Sequence, residues 1–146
     1  MNHSLIFTME LKPSNELIDG NLQLIYPDKK PIDYLATSGC QQWQQPEDQS
    51  ARARGPIPAG EYQIPTKPYW LDTRGIEGWF FHITPDPVVI NGVTRGEFGV
   101  HFDANAPGSA GCIVLRNFPG WQMFCDRMNK IAKSGIRSIP LLVEYT

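Results

Sequence analysis

The sequence predicts a mainly β fold with one principal α-helix, and three observations carry that prediction. The 146 residues hold 13 prolines and 13 glycines, which break long helices and favour strands joined by turns. Short apolar or alternating segments recur between turn signals along most of the chain. Helical spacing of apolar residues is clear in one segment alone, where Trp121, Phe124, Met128 and Ile131 share a face. The length suits one domain over residues 1–146, and a hydrophobic content of 41% is enough for one packed core.

Taken in order, Leu5–Leu11 is expected as a first strand. Asn21–Tyr26 alternates with strand period after the turn signal Asp19-Gly20, and Ile32–Thr37 returns as a hairpin after the turn at Pro27–Lys30. Gln41–Arg54 is polar, Gln-rich and aperiodic, so it reads as a long surface loop of the kind that is often functional. Gly55-Pro-Ile-Pro-Ala-Gly60 fixes a rigid turn that feeds a strand at Glu61–Ile64. Trp79–Ile83, Val88–Ile90 and Gly99–Phe102 are strand-like, with Asn91-Gly92 as a hairpin turn between strands. The helix around Trp121–Ile131 ends at Gly135, a C-cap residue by type, and Ile139–Tyr145 closes the chain as a strand.

Bulk properties exclude several classes. A net charge of −2 provides no basic field for nucleic acid. No stretch approaches the roughly 20 apolar residues of a membrane span. The amino-terminal segment lacks the basic region of a secretory signal, and Glu10 interrupts its short apolar run. The expectation is a chain made in the cytoplasm, whose site of action is a separate matter. Cys40, Cys112 and Cys125 contain no CxxC pair, and His3, His82 and His101 are scattered, so no metal site is expected. Cys125 lies in the helical pattern as a small apolar residue, and Cys40 is core, loop or half of a disulfide with it.

The chemistry concentrates between His101 and Cys112. Ser109-Ala-Gly-Cys112 leads into the apolar run Ile113-Val-Leu115, eleven residues after an imidazole. A thiol has a pKa near 8.5, so it needs a base to act as a nucleophile at neutral pH. The turn-rich Asp103–Gly108 loop can fold His101 back beside Cys112. The amides of Gly111 and Cys112, with Ala110, can form an oxyanion hole. Ser109 can hydrogen-bond the loop or the imidazole, and Asp103 or a backbone carbonyl can orient the second imidazole nitrogen. Cys112, His101, Ser109 and Gly111 are therefore the catalytic candidates; Arg116, Asp103, Gly108 and Ala110 are the substrate-binding candidates. Arg116 suits a substrate carboxylate or a surface ion pair equally. Trp43, Tyr69, Trp70 and Trp79 are core or cleft wall, and Arg52 and Arg54 belong to a solvated loop. None of this chemistry requires a cofactor.

His101…Ser109-Ala-Gly-Cys112-Ile-Val-Leu resembles the signature of YkuD-type L,D-transpeptidases, and Gly55-Pro-Ile-Pro-Ala-Gly-Glu-Tyr-Gln-Ile64 resembles that family's Pro-x-Gly-x-Tyr-x-Ile segment. The likeness spans roughly Asn15 to Thr146. It departs from wall-cross-linking members in its short His–Cys spacer, in Ala110 where many have a second His, and in Val114 where many have Arg. The compact chain is more similar to the Tlde1-like effector branch delivered by type VI secretion.

The resemblance implies a YkuD-like β-sandwich with the main helix directly after the cysteine strand. It also implies acyl transfer on the tetrapeptide stems of peptidoglycan through a Cys112 thioester, as carboxypeptidase or transpeptidase. It implies action at the cell wall or periplasm of a target cell, with secretion machinery and an immunity protein as partners. Two other readings fit the residues: a cysteine amidase of different specificity, and a silent wall- or partner-binding module.

Overall fold

The structure is a computed structural model that describes residues 2–104 and 106–146. Its strands are β1 (Ser4–Met9), β2 (Gly20–Ile25), β3 (Ile32–Ser38), β4 (Gly60–Pro65), β5 (Tyr69–Leu71), β6 (Gly78–His82), β7 (Val88–Ile90), β8 (Val93–Arg95), β9 (Gly99–Phe102), β10 (Ile113–Leu115) and β11 (Ser138–Tyr145). A short 3-10 helix spans Pro46–Ser50, and α1 spans Phe118–Lys133 directly after β10. The chain is thus mainly β with a single α-helix, as the sequence predicts.

Nine strands form one sheet in the order β4-β11-β1-β2-β3-β10-β9-β6-β5, and β7 and β8 form a separate hairpin. The sheet curls on itself, since Gln63 of β4 pairs with Thr84 just beyond β6. Strand alternation sets which side chains fill the interior. Leu5, Phe7 and Met9 of β1 are buried with Leu22 and Leu24 of β2 and Leu141 and Val143 of β11. α1 covers this interior through Trp121, Phe124, Met128 and Ile131, and it packs on β3, β9 and β10. Asn117 caps the helix by accepting from the Gly120 amide at 2.8 Å. Gly135 follows its end with φ +98°.

Three details differ from the sequence reading. Strands β5 and β8 were not expected; each is three residues long and shows no alternation of its own. The Gln41–Arg54 segment lies at the surface, as expected, but is anchored to the interior. Gln44 within it is buried. Its side-chain oxygen accepts from Ile18 N at 2.8 Å, and its amide donates to Thr37 Oγ1 at 3.0 Å and Ser38 O at 2.9 Å. A polar residue is stable inside because every hydrogen-bonding group it carries is paired. All three cysteines are free, so Cys40 and Cys125 do not pair. Among the described residues, no helix is long and apolar enough to cross a membrane.

Candidate active site

The connection from β9 to β10 makes the site. These strands are parallel neighbours, with Val114 beside His101 and Ile113 beside Val100. His101 lies within β9 and Cys112 immediately precedes β10, and both line one cleft of about 990 Å³. Tyr69, Phe80, His82, Asp86, Gly108, Ser109 and Ala110 share its wall.

His101 is buried and held in one orientation. Its Nδ1 lies 2.9 Å from the Phe102 carbonyl oxygen. A carbonyl only accepts, so Nδ1 carries the proton and the neutral ring keeps its lone pair on Nε2. Of the two orienting groups the sequence allows, the backbone carbonyl is the one used. Gly99 shapes the same corner: a Cβ there would meet the Phe80 ring at 2.1 Å, and that ring lies 6.1 Å from the imidazole centroid. Burial lowers the His101 pKa, against the Phe102 hydrogen bond and the charge of Asp103.

Cys112 Sγ lies 3.6 Å from Glu97 O. Burial pushes its thiol up to about 11, opposed first by a hydrogen bond from the Gly99 amide. Burial thus favours the uncharged form of both side chains. No group of three or more His, Cys, Asp or Glu able to hold a metal occurs among the described residues.

Ser109 bonds the loop rather than the imidazole. Its hydroxyl donates to Cys112 O at 2.6 Å and accepts from Gly39 N at 3.1 Å and Gly111 N at 3.2 Å. The Gly111 amide thus donates to Ser109 in this structure. Glycine at 111 is required by crowding. Its φ is +138°, and a Cβ would meet Arg95 Nη2 and Phe98 Cε1 at 2.7 Å.

Two expected substrate contacts are engaged within the protein. Arg116 donates from Nε to Asp19 at 2.8 Å and from Nη1 to Asp103 at 2.5 Å. Its Nε and Nη1 thus pair with two of the protein's own carboxylates. Asp103 is 2% exposed and also accepts from Gly108 N at 3.0 Å, which fixes the loop and keeps its carboxylate from a ligand. Asn105 lies outside the described residues. Gly108 and Ala110 do line the cleft.

Of the aromatic residues, Tyr69 lines this cleft, whereas Trp70 and Trp79 line a neighbouring groove against α1. Trp43 carries the Arg54 guanidinium 4.8 Å above its ring, and Arg52 donates to Thr94 O at 2.9 Å. His82 reaches Asp86 at 2.7 Å, and His3 packs edge-on to Tyr26.

Sequence reasoning missed Arg95. It is 4% exposed and donates to four carbonyls: Gln49, Pro56, Gly55 and Ala110. A signal for it existed in the Gly55–Pro58 turn. That segment's carbonyls lie outside any strand ladder and need donors from elsewhere. Arg95 serves Gly55 and Pro56, Tyr145 Oη serves Ile57, and Tyr62 Oη serves Pro58 at 2.7 Å.

The cleft and its frame define a class: a curled β-sheet presenting a cysteine and an oriented histidine from adjacent parallel strands. The family model of the Tlde1 domain matches residues 33–138, which covers β3 to the start of β11. The chain belongs to the Tlde1-domain family, the type VI secretion branch of L,D-transpeptidase-like effectors. That family carries peptidoglycan as its substrate class and the periplasm of a target cell as its place of action. A search among curated proteins returns no match.

Proposed function

We propose that this chain trims or exchanges the terminal D-amino acid of peptidoglycan tetrapeptide stems through a Cys112 thioester. The observation that carries the reading is the placement of Cys112 and His101 in one cleft, with His101 Nδ1 anchored on Phe102 O and Nε2 left with the lone pair.

Substrate arrival brings the carbonyl of the third stem residue against Sγ. His101 Nε2 takes the thiol proton as the S–C bond forms, and the carbonyl π pair moves onto oxygen. The Cys112 and Ala110 amides hold that oxyanion. Collapse breaks the C–N bond, and His101 gives its proton to the departing D-alanine amine. Water then attacks the thioester with His101 again as base, which completes a carboxypeptidase cycle. An amine in place of water completes an exchange or a cross-link. A raised thiol pKa keeps thiolate a small minority before substrate arrives, which limits side reactions of the sulfur.

The test is to incubate purified tetrapeptide muropeptides with wild type and with Cys112→Ala, and to follow D-alanine loss by mass spectrometry. Tripeptide product from wild type alone supports the reading. Cleavage of a different stem bond assigns another amidase specificity, and no product from wild type assigns a binding module; either overturns it.

A further inference from the structure

The twin motifs around Gly55–Gly60 and Ser109–Cys112 are far apart in sequence, yet one side chain joins them. Arg95, at the end of β8, spans from Gly55 O and Pro56 O on one side to Ala110 O on the other, at 3.0, 2.5 and 3.0 Å. It reaches Gln49 O at 3.0 Å as well. Its guanidinium sits 5.1 Å over the Phe98 ring and directly behind Gly111, close enough to forbid a Cβ there.

All four oxygens are neutral carbonyls. No carboxylate forms an ion pair with Arg95 among the described residues. A buried charge ordinarily has a counter-charge. Carbonyl dipoles satisfy this guanidinium's hydrogen bonds but leave its net positive charge uncancelled. The sulfur of Cys112, one residue past the glycine that Arg95 touches, becomes negative during turnover.

We propose that Arg95 is a positioning residue: it holds the Ser109–Cys112 loop through Ala110 and supplies the buried positive charge met by the Cys112 sulfur anion. This rests on the reading of Cys112 as the nucleophile. A guanidinium suits the place better than an ammonium because its planar fork serves several carbonyls and its charge persists at every working pH. Glu97 and the Gly99 amide act on Cys112 directly, and the titratable or charged groups that share its cleft are His101, His82, Asp86, Cys40, Tyr69, Arg74 and Glu77. Glu97 opposes the anion, and Arg95 is the cation acting on it.

The experiment measures alkylation of Cys112 in the full chain by neutral iodoacetamide and by anionic iodoacetate, read by peptide mass spectrometry. Wild type, Arg95→Gln and Arg95→Lys are compared between pH 6 and 9. The ratio of the two rates reports the local potential, because access and thiolate fraction affect both reagents alike.

Arg95→Gln is expected to slow iodoacetamide about tenfold, the equivalent of one pH unit in the thiol, and to lower the iodoacetate ratio. Arg95→Lys keeps the ratio. An unchanged ratio in a folded Arg95→Gln protein overturns the proposal. If Arg95→Gln unfolds, shown by loss of the wild-type far-ultraviolet circular dichroism, Arg95→Lys decides alone: a retained ratio supports the charge role and a lost ratio overturns it. No substrate is involved, so failure of muropeptide turnover and failure of this proposal are separate results.

Discussion

The two halves of the curled sheet are built differently. The half from β4 through β11, β1, β2 and β3 has strands of six to eight residues. Their inward side chains are almost all aliphatic or aromatic. The half from β10 through β9, β6 and β5 has strands of three to five residues, and its inner positions include His101. Long ladders with a continuous apolar face supply stability. Short ladders leave their ends free to turn, and here those ends carry Cys112 and His101. The cost of short strands is met by side-chain hydrogen bonds from Ser38, Ser109 and Arg95, each of which ties the cysteine loop to another segment.

This contrast can be broken by separating activity from stability. The largest effect is expected at His101→Ala, which removes the proposed base and should lower kcat on tetrapeptide muropeptides by about 10²- to 10⁴-fold. Far-ultraviolet circular dichroism and the thermal midpoint should stay close to wild type; a residual rate near wild type removes His101 from the mechanism. In the long half, Phe7→Ala is expected to cost about 3–5 kcal/mol of stability by leaving a cavity. Denaturant titration measures this, and kcat per folded molecule should be preserved. A loss of kcat in folded protein would mean that the two halves are not separable.

The smallest effect is on pH dependence. Burial lowers the folded pKa of His101 from its ordinary 6.5. Its contribution to stability is thus present above pH 6.5 and lost as pH falls through the folded value. Cys112 is opposite in sign. Its thiol is raised from 9.0 to about 11, so its contribution is present below pH 9.0 and lost as pH rises through about 11. Thermal midpoints of wild type minus Cys112→Ala should therefore decline between pH 9 and 11. A flat difference would place the thiol in water.

The long half was the legible one. Its strands alternate, so Leu22, Leu24, Leu141 and Val143 betray a buried face by spacing alone. The helix was legible for the same reason, through Trp121, Phe124, Met128 and Ile131. The candidate site was legible as a set of residue types in order, because the proposed nucleophile, proposed base and loop residues lie within one short segment. What stayed hidden depends on partners distant in sequence. Arg95 has no role in the sequence reading until the Gly55 and Pro56 carbonyls, some 40 residues away, are brought to it. Arg116 reads equally as a ligand for substrate until Asp19, 97 residues away, occupies it. Gln44 reads as loop polarity until Ile18, Thr37 and Ser38 enclose it.

One feature of the long half bears on the order of events during synthesis. β11 lies between β4 and β1, pairing antiparallel with the first and parallel with the second, although it follows every other strand in the chain. Until residues 138–145 emerge from the ribosome, β1 and β4 keep open edges and the interior under Leu5 and Phe7 stays uncovered. Contacts between segments so far apart close slowly. The nascent chain therefore carries both Cys112 and His101 for some time before it possesses the frame that makes them a pair.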